Sequence, residues 1–182
     1  MKVQVLYVSG TGNTEKIAES IYRAIPEAAK DIKRLDSCSE KRSADTYFIG
    51  FWANRGSASM EVLDYLSELH GKNIALFCTC GMGCDPTYYK KIENSVSAFI
   101  PDDNQYLGAF FCQGKMPMRI REKYEHMMTA ENEAQVQKLI HNFDAALLHP
   151  NAEDFADAAR FTNSVFEQIQ GKGPCPQTRT TL

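Results

Sequence analysis

The chain has 182 residues, 43% of them hydrophobic and 24% charged, which suits one folded domain with a core of its own. Its formal net charge is −3 and no basic run occurs, which argues against nucleic acid as a partner. The longest apolar runs fall well short of the ~20 residues a membrane span needs, and MKVQVLYVSG lacks the pattern of a secretory signal, so a cytoplasmic protein with six reduced cysteines is expected.

Val3 to Val8 is a short apolar and β-branched run, the pattern of a strand buried on both faces. From Thr14 to Ile25 the apolar residues recur at Ile17, Ala18, Ile21, Ala24 and Ile25, a helical spacing that Pro26 stops. Ile32 to Leu35 reads as a weak second strand, and DTYFIGFW, Asp45 to Trp52, as a strong third. Met60, Leu63, Leu66 and Leu69 predict a second helix, capped by Ser57 or Ser59 and closed by Gly71. NIALFCTC, Asn73 to Cys80, is a fourth strand. Asp85 then stands as an N-cap, with Pro86 at the first position of a third helix. Tyr106 to Cys112 is a fifth strand, and Gly114 to Thr129 has no clear period. Helical spacing returns at Val136, Leu139, Ile140, Phe143 and Leu147, and Pro150 breaks it. Phe155, Ala159, Thr162, Phe166 and Ile169 mark a last helix, capped by Asp154; the tail over 172–182 reads as loose.

Short apolar strands alternating with amphipathic helices predict an α/β protein, its mostly parallel sheet covered on both faces. The crossover between the second and third strands is poorly marked. No linker or internal repeat divides the chain. In such sheets ligands sit beyond the carboxyl ends of the strands, so the loops to inspect are 9–14, 52–58, 80–88 and 112–120.

The first loop, SGTGNT, joins strand one to helix one. A helix N-terminus offers unbonded N–H groups and the positive end of its dipole. Ser9, Thr11 and Thr14 add hydroxyls, the glycines let the backbone come close, and no Lys or Arg stands between Ser9 and Thr14. That set suits a phosphate monoester held by neutral donors. The Walker ending is absent, and so is the GxGxxG turn. The plainer alternative is an ordinary strand-to-helix turn with good capping residues.

SGTGNTEKIA also resembles the phosphate loop of the flavodoxin family, Thr/Ser-x-Thr-Gly-x-Thr, with Ser9, Thr11, Gly12, Asn13 and Thr14 in register. The resemblance runs in element order over residues 1–148 and implies a doubly wound five-stranded parallel sheet of order 2-1-3-4-5, with flavodoxin itself a worked instance of the switch-point rule. It implies non-covalent FMN as cofactor. Residues 149–171 are then a C-terminal helical extension of the same domain.

In that family the second loop lies against the flavin ring. Here it reads GFWANRGSAS, which implies flavin contacts from Trp52, Ala53, Asn54, Arg55 and Gly56, with Gly56 the candidate to face N5. Trp52 comes about two positions early, so a core aromatic and a flavin contact are both open readings. An Arg55 near N1 would favour the anionic reduced ring. The third loop, CTCGMGCDPTYYKK, resembles Gly-x-Gly-Asp-x-x-Tyr with Cys84 inserted. It implies contacts from Cys80, Gly81, Met82, Gly83, Asp85 and Tyr88, with the N–H groups of 81–83 on the pyrimidine edge. Tyr88 is the expected stacking ring and Tyr89 its rival.

Cys78, Cys80 and Cys84 are not spaced like a zinc site, so buried thiols and no metal are expected. His70, His126, His141 and His149 carry no triad-like signature and read as surface or capping residues. The segment Gln113 to Met128 exceeds the short turn of small flavodoxins. With the GFW second loop and CQGK after strand five, it resembles the BilS-like subgroup of anaerobic bacteria, encoded beside bilirubin reductase. Its methionines offer an adaptable apolar surface and Arg119 and Arg121 suit acidic groups; a lid or an extra helix is the plainer reading. Two main functions follow. One is an electron carrier without catalytic residues, serving a partner reductase, with a tetrapyrrole or bilirubin reductase implied by the closer resemblance. The other is an NAD(P)H-dependent FMN reductase of quinones or other small molecules. A binding module that kept the fold without flavin is a third. No membrane partner is expected, and a monomer or weak dimer is.

Overall fold

The computed structural model describes residues 1–27, 29–35, 43–83 and 85–171. Cys38, Cys84, Cys175, the tail over 172–182 and most of the crossover between the second and third strands lie outside the described residues. Five strands and six helices follow one another as β1 (Val3–Tyr7), α1 (Asn13–Ala24), β2 (Lys30–Arg34), β3 (Thr46–Trp52), α2 (Met60–Ser67), β4 (Asn73–Cys80), α3 (Pro86–Ser97), β5 (Gln105–Gln113), α4 (Met118–His126), α5 (Glu133–Ala146) and α6 (Ala152–Ile169). Every pairing is parallel and the strand order is β2-β1-β3-β4-β5, the doubly wound topology expected from the sequence.

Helices cover both faces of this sheet, so β1 and β3 read as nearly unbroken apolar runs. On one face Val5, Phe48 and Phe77 pack with Ile17 and Ile21 of α1 and Val165 and Phe166 of α6. On the other Leu6, Ile49 and Leu76 pack with Val62 and Leu66 of α2 and Ile92 and Val96 of α3. Gly50 and Phe77 are cross-strand partners, and a Cβ on Gly50 would fall 2.1 Å from the Phe77 ring. The last carbonyls of α1 are closed by Lys30, whose Nζ donates to the carbonyls of Tyr22 and Ile25 at 2.9 and 2.8 Å.

The sequence placed Asp154 as the cap of the last helix. Asn151 holds that position instead, and Asp154 is its reciprocal partner three residues on, completing a capping box. The second helix stops at Ser67, short of the expected Leu69, which is nonetheless buried. The segment without a period contains α4. None of the residues of α4 is fully buried, and its anchors on α5 are polar: Arg121 pairs with Glu125 on its own helix and with Asp144 on α5. A helix held this way leaves no apolar stripe to read. No helix among the described residues is long and apolar enough to cross a membrane.

Candidate functional site

A cavity of about 430 Å³ opens where β1, β3, β4 and β5 end, between the three loops singled out above and the segment after β5. Its first wall is the loop before α1. Gly12 caps that helix with φ 82°, a left-handed backbone, and nothing lies within 4 Å of where its Cβ would stand. No side chain caps α1, so its first-turn N–H groups are left for a ligand. Gly10, Thr11 and Asn13 line the cavity.

The loop's side chains mostly hold the loop itself. Ser9 Oγ accepts from the Gly12 N–H at 3.1 Å. Asn13 is buried, and its Nδ2 donates at 2.9 Å both to Thr11 Oγ1 and to the Lys115 carbonyl. Thr14 Oγ1 and Thr79 Oγ1 pair at 2.9 Å in the interior, pinning α1 to β4. What the loop offers at the cavity wall is therefore its N–H groups and the hydroxyl hydrogen that Thr11 retains; Ser9, Gly12 and Thr14 stand outside the lining. A cation does stand nearby, although none occurs within the loop. Arg34 is the register partner of Tyr7 and donates through Nη2 to the Ser9 carbonyl at 3.4 Å. Tyr7 donates to Glu15 Oε1 at 2.8 Å; burial and then this bond push its hydroxyl up to about 12.

In the second loop, Trp52 is 41% exposed and lines the cavity, with its Nε1 3.9 Å from where a Cβ on Gly10 would stand. It is a wall of the site and not a core aromatic. Ala53 lines the cavity beside it, its N–H bonded to the Thr79 carbonyl at 2.9 Å. Asn54 and Ser57 then exchange backbone bonds at 2.8 and 3.1 Å across a two-residue turn. Arg55 (φ 52°) and Gly56 (φ 84°) are both left-handed, as such a turn requires. Asn54, Arg55 and Gly56 stand outside the cavity lining.

In the third loop Cys80, Gly81, Met82 and Tyr88 line the cavity, whereas Gly83 and Asp85 do not. The Gly83 N–H is taken by Asn142 Oδ1 at 2.8 Å. Asp85 caps α3, accepting from the Thr87 N–H at 2.9 Å. Geometry separates the two tyrosines that periodicity could not: Tyr89 stacks on Phe111 at 4.9 Å between centroids, and Tyr88 faces the cavity. Burial pushes the Tyr88 hydroxyl upward. Cys78 and Cys112 are buried, and burial drives both thiols up, away from the reactive thiolate. No group of three or more His, Cys, Asp or Glu among the described residues is arranged to hold a metal ion.

The fourth wall was the least legible. Gly114, Lys115, Met116 and Pro117 lead into α4, which turns Arg119, Ile120 and Tyr124 toward the cavity. Met116 lies over the third loop so closely that a Cβ on Gly81 would meet its Sδ at 2.4 Å. The pair Ile120 and Tyr124, four apart on one helical face, is the signal the sequence did carry.

A family model described as Flavodoxin domain matches residues 4–163, nearly the whole of the fold. The chain belongs to the flavodoxin family. Its curated relatives include the flavodoxin-like domain-containing protein BilS of Clostridioides difficile (strain CD3), 34% identical over 170 residues that cover 91% of this chain and 96% of the relative. BilS of Clostridium symbiosum (strain WAL-14163) is 30% identical over 179 residues, covering 88% and 94%. The fold is shared with a solved flavodoxin from the domain Archaea at a TM-score of 0.56 and 14% identity, over 93% of this chain and 99% of that one. The subgroup resemblance drawn from the loops and the names of these relatives agree.

Proposed function

We propose that this flavodoxin-family chain binds FMN in the cavity and carries electrons to a partner reductase in the cytoplasm. The observation that carries the proposal is the composition of the cavity: an uncapped helix N-terminus at one end and aromatic walls, Trp52 and Tyr88, at the other. The uncapped turn of α1 and the hydroxyl of Thr11 fit the phosphate, and the two rings fit a flat heteroaromatic system. Bound FMN would supply the redox chemistry. The chain's own part is to bind and orient: the first loop holds the anion, Trp52 and Tyr88 bracket the ring, and Met116 with Ile120 and Tyr124 keeps water from it.

A cavity of about 430 Å³ lies toward the small end of the range for one drug-sized ligand. One flavin-sized ligand fits it. A carrier needs no acid, base or nucleophile from the chain, and the residues lining the cavity form no such catalytic group. The resemblance to the BilS-like subgroup supports a tetrapyrrole reductase as the partner.

The test is a reduction assay on the FMN-loaded protein. NADH and NADPH should leave the visible band unbleached. Protein reduced by dithionite, freed of excess reductant, should drive a tetrapyrrole reductase to turn over bilirubin. Rapid bleaching by NADPH alone, or reductase turnover indifferent to this protein, would overturn the proposal.

A further inference from the structure

Asn142 belongs to α5, an element that forms no part of the sheet, yet its side-chain amide grips the third loop from outside. Nδ2 donates to the Gly81 carbonyl at 2.9 Å, and Oδ1 accepts from the Gly83 N–H at 2.8 Å. Gln113, buried at the end of β5, braces the same point: its Nε2 donates to the Gly81 carbonyl at 3.2 Å and to Asn142 Oδ1 at 3.2 Å. The loop has little room to move otherwise. A Cβ on Gly81 would strike Met116, and one on Gly83 would stand 3.0 Å from the Gln113 amide.

These bonds fix two successive peptide planes. In a trans peptide the carbonyl of one residue and the N–H of the next point in opposite directions. The Gly81 carbonyl is turned to Asn142 and Gln113, so the Met82 N–H is turned away from them. The Gly83 N–H is turned to Asn142, so the Met82 carbonyl faces the other way, where it accepts from Cys80 Sγ at 3.0 Å. Gly81, Met82 and Cys80 line the cavity, and Gly83 does not. One backbone donor of Met82 thus remains available on the cavity side of the loop. With the first plane reversed, the Gly81 carbonyl would meet the carbonyl-rich pyrimidine edge of a flavin, acceptor against acceptor.

We infer that Asn142 is a positioning residue that sets the Gly81–Gly83 backbone so that the Met82 N–H serves the ring edge of the bound flavin. The inference rests on FMN occupying the cavity. It also gives α5 a role: a side chain that both donates and accepts is needed, and neither Leu nor Asp supplies both.

The experiment titrates the flavin-free full chain with FMN and with riboflavin, by quenching of flavin fluorescence, for wild type, Asn142→Leu and Asn142→Asp. Asn142→Leu should weaken both flavins by the same factor, roughly tenfold or more, since the loss is at the ring. Asn142→Asp keeps the acceptor for Gly83 but loses the donor to Gly81. It should weaken riboflavin likewise and regain affinity as falling pH protonates the carboxyl. The Met82 amide proton should shift on adding riboflavin to wild type and fail to shift in Asn142→Leu. If Asn142→Leu does not fold, the isosteric Asn142→Asp carries the same comparison. Wild-type affinity for both flavins in a folded variant, or a loss confined to FMN, would overturn the inference alone. Wild-type protein that takes up neither flavin would overturn the reading of the cavity, and this inference with it.

Discussion

Asn13 is where the loop before α1 grips the segment after β5, and replacing it with Asp tests both the grip and the anion seat. The substitution keeps size and shape. It removes two donated bonds, to Thr11 Oγ1 and to the Lys115 carbonyl, each 2.9 Å long. At about 1 kcal/mol per bond, and with the Lys115 carbonyl left facing a carboxylate, the loss is roughly 2–3 kcal/mol. A carboxylate in the first turn of α1 recovers about 0.5 kcal/mol from the helix dipole. The flavin-free protein should therefore lose roughly 2 kcal/mol of stability, read by urea unfolding through the fluorescence of Trp52, the one tryptophan in the chain. The effect on FMN is larger. A new negative charge about 6 Å from a phosphate charge costs roughly 3 kcal/mol at an effective dielectric constant near 20. FMN affinity should fall roughly 100-fold or more, partly restored by salt, while riboflavin, lacking the phosphate, should lose under tenfold. Asn13→Ala, which adds no charge, should keep most of the preference for FMN. An Asn13→Asp variant with the wild-type ratio of FMN to riboflavin affinity would refute the placement of the phosphate.

Three further outcomes follow from the same geometry. Tyr7 is held protonated in the fold, up to about 12 from an ordinary 10.0, so its contribution to stability is present below pH 10 and is lost as pH rises toward 12. Tyr7→Phe should flatten that alkaline decline in an unfolding series, and an unchanged slope would contradict the assignment. Gly50→Ala should cost more than ~3 kcal/mol or prevent folding, because its Cβ would lie 2.1 Å from the Phe77 ring, and Phe77→Ala in the same chain should restore a soluble protein. Tyr88→Ala should weaken FMN and riboflavin equally. Tyr89→Ala should leave both affinities nearly unchanged while losing its stack on Phe111, and a swap of these two binding phenotypes would reverse the assignment.

The sheet was legible because its strands are buried on both faces, and such strands announce themselves as apolar runs; β1, β3 and β4 are clear cases. The loop before α1 was legible as a strand-to-helix turn because its glycine cap and the bond from the Gly12 N–H to Ser9 Oγ are local features that a short motif records. What could not be read was set by partners distant in sequence. Arg34 reaches the first loop only through the parallel register of β1 and β2. Asn142 meets Gly81 and Gly83 across some sixty residues, on a helix whose apolar spacing gives no hint of it. An extra helix was one reading of the segment after β5, but the bounds of α4 could not be read because it is anchored by Arg121 and its acidic partners. Tyr88 and Tyr89 are adjacent in a helix, and what separates them is a partner distant in sequence, the Phe111 ring on which Tyr89 stacks.

The central claim is that an uncapped helix turn with neutral donors holds the phosphate of FMN. Phosphorus-31 NMR of the loaded protein tests it most directly, because a free phosphate monoester changes its shift as it titrates near pH 6. Held by the N–H groups of α1 and the hydroxyl of Thr11, the phosphate should stay doubly charged, with one displaced resonance constant from about pH 5 to pH 8. A bound resonance that still titrates near pH 6, as in free FMN, would place the phosphate in solvent and contradict the account.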